Sequence, residues 1–128
     1  MAATEHAGKL RDIALLVLML HTGLRIGEVC ALTWPDIIFQ ERGGLLKVWN
    51  KGQKYREIPL NTTVRKTLIE YQRGWLKRGK TLAGAVFVSQ RTGHSLTPRG
   101  VRFMLGKYAY QARVDNFTPG QLLQNVML

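Results

Sequence analysis

The 128-residue chain is 45% apolar and 21% charged, enough to bury one core and too little for two. Its 19 Lys and Arg against 8 Asp and Glu give a formal net charge of +11, which calls for a polyanionic partner, nucleic acid before anionic membrane. The longest apolar run, Ile13 to Leu20, is far shorter than the ~20 residues a membrane-spanning helix needs, and the acidic residue within Met1 to Lys9 does not suit a basic secretory leader. A soluble protein of the cytoplasm, with no membrane association, is the expectation.

In chain order, Gly8 to His21 reads as a helix, apolar on nearly every face in its second half, and Gly23 supplies its stop at a tight corner. Leu24 to Leu32 resumes a helical pattern until Trp34-Pro35-Asp36 breaks it. Cys30, the single cysteine, sits in that apolar stretch, excludes an internal disulfide and is read as core packing. Ile37-Ile38-Phe39, Leu45 to Trp49 and Tyr55 to Ile58 are β-prone runs separated by Arg42-Gly43-Gly44 and Asn50-Lys51-Gly52-Gln53, which predicts a three-stranded antiparallel meander.

Asn61 or Thr62 caps the next helix, whose Val64, Leu68, Tyr71 and Trp75 recur at helical spacing beneath Arg65, Lys66, Arg73, Lys77 and Arg78. Ala85 to Val88 fits either a short strand or a packed loop. Thr97-Pro98 starts a helix running to about Arg113, and Thr118-Pro119 predicts a last one from near Gly120. The fold class expected is mainly α with a small three-stranded antiparallel sheet, in one domain.

The stretch His21-Thr22-Gly23-Leu24-Arg25-Ile26-Gly27-Glu28, continuing through Leu32 to Trp34, presents a threonine-glycine corner, an aliphatic residue, an arginine, a small pair, an acidic residue and a tryptophan-containing exit. That order resembles the first signature of the tyrosine recombinases, the family of phage integrases and chromosome-dimer resolvases. The resemblance implies that Arg25 is a catalytic arginine. A guanidinium suits the role, because attack on a phosphodiester builds charge on the non-bridging oxygens, which two parallel charge-assisted hydrogen bonds match. Glu28, three residues on, either pairs with Arg25 across one helical turn or is an acidic group favoured by the first-turn dipole.

Val48-Trp49-Asn50-Lys51-Gly52-Gln53-Lys54-Tyr55-Arg56-Glu57-Ile58-Pro59-Leu60 is similar to the lysine-bearing hairpin of the same family. There the resemblance implies that Lys51 protonates the departing sugar oxygen, work suited to an ammonium whose pKa falls on burial against DNA. Lys54 and Arg56 are expected at phosphates, positioning the duplex without reading its sequence. Arg99, Arg102 and Lys107 lie beside the apolar Val101, Leu105 and Tyr108, so this helix can pack one face and present the other to DNA or to solvent.

The likeness then departs. After threonine-proline the family carries a histidine, two intervening residues and an arginine, where this chain has Gly120 and Leu123 at the histidine and arginine positions, with Gln124 at the position of a frequent further histidine. None of these replaces the missing charge or proton chemistry. None of Tyr55, Tyr71, Tyr108 or Tyr110 matches the family's nucleophile. The resemblance therefore implies part of a recombinase catalytic domain spanning 1–128, acting on double-stranded DNA without metal or cofactor and inactive in cleavage alone. The alternative is a non-catalytic DNA-binding remnant that occupies sites or interferes with an intact recombinase; a basic RNA-binding or scaffold protein is a third, weaker reading. The apolar Leu122 to Leu128 segment predicts self-association.

Overall fold

Ala2, Ala3, Glu5 and Ala7 are strong helix formers, and in the computed structural model, which describes residues 2–50 and 54–112 and side chains only within 7–111, helix α1 spans Ala2–Thr22. The expected start at Gly8 is therefore too late. Good propensity on both sides carries the helix through this glycine, whose Cβ position faces Gln90.

Helix α2 is Ile26–Ala31, shorter than the Leu24–Leu32 pattern, and Trp34–Asp36 forms a single 3-10 turn rather than a simple break. The carboxylate of Asp36 accepts from the Thr33 backbone N–H at 3.0 Å and from its hydroxyl at 2.7 Å, closing that turn. Strands β1 (Ile37–Phe39), β2 (Gly44–Trp49) and β3 (Tyr55–Leu60) form the predicted antiparallel meander in the order β1-β2-β3. Leu46 pairs with Ile37 on one side and Ile58 on the other. Because directly paired residues share a face, Ile37, Leu46, Val48 and Leu60 turn to the core, while Ile38, Trp49 and Tyr55 lie exposed on the outer face.

Asn61 is the observed cap of helix α3, Thr62–Lys77, accepting from the Val64 N–H at 2.8 Å. Val64, Leu68, Tyr71 and Trp75 are its buried stripe, as the spacing predicts. Helix α4, Pro98–Ala112, starts where Thr97 Oγ1 accepts from the Gly100 N–H at 3.0 Å. Between α3 and α4 the chain from Ala85 to Val88 is a packed loop held by isolated bridges, Thr33 to Ala85 and Val88 to Ser95.

Leu15, Leu16 and Leu18 of α1, Leu68 and Tyr71 of α3, and Val86 and Phe87 of the loop meet at the centre, all fully buried. The Tyr71 ring stacks between Trp34 at 5.7 Å and Phe87 at 5.8 Å, and its hydroxyl donates to the Val86 carbonyl at 2.7 Å. Cys30 is buried, as expected of core packing. No helix among the described residues is long and apolar enough to cross a membrane. The helix expected from Gly120, and the Leu122 to Leu128 segment, lie outside the described residues.

Candidate active site

The corner between α1 and α2 is built from its own backbone. The Thr22 hydroxyl donates to the Leu18 carbonyl at 2.6 Å, and the Gly23 N–H closes on the Met19 carbonyl at 3.0 Å. Gly23 has φ +70°, a conformation glycine adopts without a Cβ penalty, and it reverses the chain within one residue. Leu24 then plugs into the core and Arg25 emerges extended (φ −77°, ψ 155°) and exposed, immediately before α2. Its carbonyl accepts from the Val29 N–H at 3.0 Å, and its N–H donates to Glu28 Oε1 at 3.0 Å. Backbone hydrogen bonds on both sides thus fix the Cα of Arg25 while its guanidinium stays at the surface.

Glu28 does hold Arg25, but through the main chain. Its side-chain partner is Arg56 of β3, whose Nη1 and Nη2 donate to Oε2 at 2.5 Å and Oε1 at 3.1 Å. Hydrogen bonding from Arg56 lowers the Glu28 carboxyl below its ordinary range, against burial, which alone would raise it; the Arg25 N–H and the charges of Arg56 and Arg25 add to the lowering. Arg56, expected at a phosphate, pairs with Glu28 through both terminal nitrogens while its side chain stays 44% exposed.

The hairpin that carries Lys51 leaves the sheet after the paired Trp49 and Tyr55. Asn50 closes its base, donating its N–H to the Lys54 carbonyl at 3.1 Å and accepting from the Lys54 N–H through Oδ1 at 3.2 Å. Lys51 itself lies outside the described residues; Lys54 is exposed. Beyond β3, Asn61 Nδ2 donates to His21 Nδ1 at 2.9 Å, tying the head of α3 to the corner.

Helix α4 packs against α2. Arg102 is near enough to that contact for its charge to oppose the rise that burial imposes on the Cys30 thiol. Arg99 and Lys107 instead line a separate open groove of about 520 Å³ with Arg11, Arg91 and the exposed Phe103. Arg102 is not among the residues that line this groove. In the groove wall, Arg11 donates to Asp12 Oδ1 (Nε 2.9 Å, Nη2 2.7 Å) and to the Val88 carbonyl (3.0 Å), while the Tyr108 hydroxyl donates to Asp12 Oδ2 at 2.6 Å. Sequence reasoning missed this network, although a lone carboxylate next to the apolar run from Ile13 was its visible signal. No cluster of metal-ligating side chains occurs among the described residues.

The arrangement of corner, hairpin and helices has close counterparts. The phage integrase family model matches residues 1–122. Tyrosine recombinase XerC of Corynebacterium glutamicum is 32% identical over 124 residues, which cover 94% of this chain and 38% of that protein. Tyrosine recombinase XerA of Pyrococcus horikoshii is 36% identical over 118 residues, covering 91% of this chain and 39% of the relative. Among solved structures, the XerH site-specific recombinase bound to a palindromic difH substrate in a post-cleavage complex superposes with a TM-score of 0.70 at 20% identity, over 91% of this chain and 32% of that one. The XerA recombinase crystal structure does so at 0.66 and 23% identity, over 95% and 47%. The chain spans about two fifths of the length of the XerC and XerA relatives it matches. Its sequence match along nearly its whole length, with the fold to accompany it, places the chain in the phage integrase family, the tyrosine recombinases.

Proposed function

We propose that this chain supplies the corner arginine and the hairpin lysine of a site that breaks and rejoins double-stranded DNA at a specific sequence. The observation that carries this reading is the backbone-locked, solvent-facing Arg25 next to a half-buried Glu28 that also pairs with Arg56 of the lysine-bearing hairpin. Arg25 clamps the non-bridging oxygens as charge develops on them, and Lys51 gives a proton to the departing sugar oxygen. Lys54, Arg99, Arg102 and Lys107 grip phosphates and fix the register of the duplex. Transfer through a tyrosine, the chemistry that names the relatives, needs a nucleophile that these residues do not supply. Tyr71 and Tyr108 are buried and hydrogen-bonded through their hydroxyls. Tyr55 is on the outer face of the sheet, away from the face that Arg56 shares with the core.

Tyr110 is exposed but, like the other three, does not match the position of the family's nucleophile, so cleavage by this polypeptide alone is not expected. Incubation with a nicked duplex followed by denaturing electrophoresis is expected to show no covalent protein–DNA adduct, while equilibrium binding to duplex shows a steep loss of affinity with salt. Affinity that ignores salt would refute the DNA reading.

The second reading, a DNA-binding remnant that occupies sites or blocks an intact recombinase, is favoured by Gly120 and Leu123 standing where the family has histidine and arginine. Inhibition of an intact relative by added chain, relieved by excess target DNA, separates it from the first. On either reading the chain works on cytoplasmic DNA and self-associates through its apolar Leu122 to Leu128 segment. A single monomeric species across micromolar concentrations in analytical ultracentrifugation would rule that association out.

A further inference from the structure

We propose that Arg56 is a positioning residue that fastens the lysine-bearing hairpin to the arginine corner, and not one of the side chains that grip DNA. The inference rests on the reading of Arg25 and Lys51 given above. Core-facing positions of β3 alternate as 56, 58 and 60, and Ile58 and Leu60 there are apolar. A charged residue at the third such position needs a partner, and Glu28 supplies it with the two-pronged geometry that guanidinium and carboxylate share.

The two partners are unequal. The Glu28 side chain is 8% exposed and that of Arg56 is 44% exposed, so the carboxylate is the group that needs its counter-charge. Glu28 Oε1 also receives the Arg25 N–H, so one carboxylate ties together two motifs separated by 28 residues in sequence. Arg56 pairs across the ladder with Val48 and stands two residues beyond Lys54, where the turn closes on Asn50. Because β3 is an edge strand, it has a neighbouring strand on one side only, and the Glu28 contact holds its turn end against the body of the protein. Glu28 takes one N–H from each terminal nitrogen and balances the guanidinium charge, so a DNA phosphate would meet only the remaining N–H groups of a cation already paired.

The deciding experiment compares the protein with its Arg56→Met, Arg56→Lys and Lys54→Met variants. Three quantities are measured: the titration of the Glu28 carboxyl carbon by NMR, amide exchange at Asn50, and the salt dependence of duplex binding. In Arg56→Met the Glu28 midpoint moves up and Asn50 exchanges faster, and Arg56→Lys, which keeps one donor, restores both in part. The salt slope of Arg56→Met matches that of the unaltered protein, whereas that of Lys54→Met falls by about one. A fall of about one in Arg56→Met would make Arg56 a phosphate contact and overturn the proposal, as would a Glu28 midpoint that does not move. Should the unaltered protein bind no duplex, the functional reading fails, and the Glu28 and Asn50 measurements in free protein still decide whether the fastening exists.

Discussion

The Tyr108 hydroxyl donates to Asp12 Oδ2 at 2.6 Å across 96 residues of chain, joining α4 to α1 through a buried carboxylate that Arg11 holds from the other side. Replacing Tyr108 with Phe leaves that oxygen of the buried Asp12 short of a donor. Urea unfolding of Tyr108→Phe is expected to show a loss of about 1–3 kcal/mol, and Tyr55→Phe, on the exposed face of the sheet, a much smaller one.

Burial pushes the phenols of Tyr71 and Tyr108 above the ordinary tyrosine range, and at Tyr108 the hydrogen bond to Asp12 pushes the same way. Folding therefore favours the neutral phenol. Its stabilisation is complete below the unfolded value of about 10 and is lost as pH rises beyond it, because the unfolded chain ionises first. Melting temperatures followed from pH 8 upward are expected to hold and then drop above about pH 10. The drop should be shallower in Tyr108→Phe.

At the acid end the sign reverses. Glu28 is held below the ordinary carboxylate range by Arg56, so its contribution is present above the unfolded value of about 4.3 and fades as pH falls through the lower, folded one. Glu28→Gln is expected to be less stable than the unaltered protein at neutral pH and to lose less on acidification, a comparison that chemical unfolding at pH 7 and at pH 3 makes directly.

Gly44 opens β2 where the ladder runs close to its neighbours: a Cβ there would collide with the Ile38 carbonyl oxygen, and at the adjacent Gly43 one would lie 2.5 Å from the Leu60 carbonyl oxygen. Both obstacles are backbone and cannot rotate aside. Gly44→Ala is expected to destabilise by about 1–3 kcal/mol, the usual cost of overpacking, with exchange of the β1–β2 amides rising most.

Much of this architecture was legible because local chemistry and final structure agree. Gly23, the Arg42–Gly44 and Asn50–Gln53 turns, the Asn61 cap and the Thr97-Pro98 start are signals contained within a few residues, and each marks an observed boundary. Gly8 looks like the start of α1 when seen alone, but the alanine-rich segment before it outweighs one glycine, and the helix begins at Ala2. Partners distant in sequence were harder. Asp12 shows no sign in sequence that residue 108 will meet it, and Arg56 looks like any basic residue near a turn until β3 is laid beside α2. The Arg25 corner could be recognised because its pattern is contiguous; the pairing of Glu28 could not, because half of it comes from another element.

The chain contains three tryptophans, and the fold has separated them: Trp34 and Trp75 lie buried 5.6 Å apart, while Trp49 is 57% exposed at the last pair of the hairpin, beside Tyr55. The red side of the protein's fluorescence is therefore expected to come from Trp49, two residues from Lys51 in sequence. Collisional quenching by acrylamide acts on that emission first. A ligand settling over the turn announces itself as protection of the red component with the blue component unchanged, so the hairpin carries its own optical label without any chemical modification.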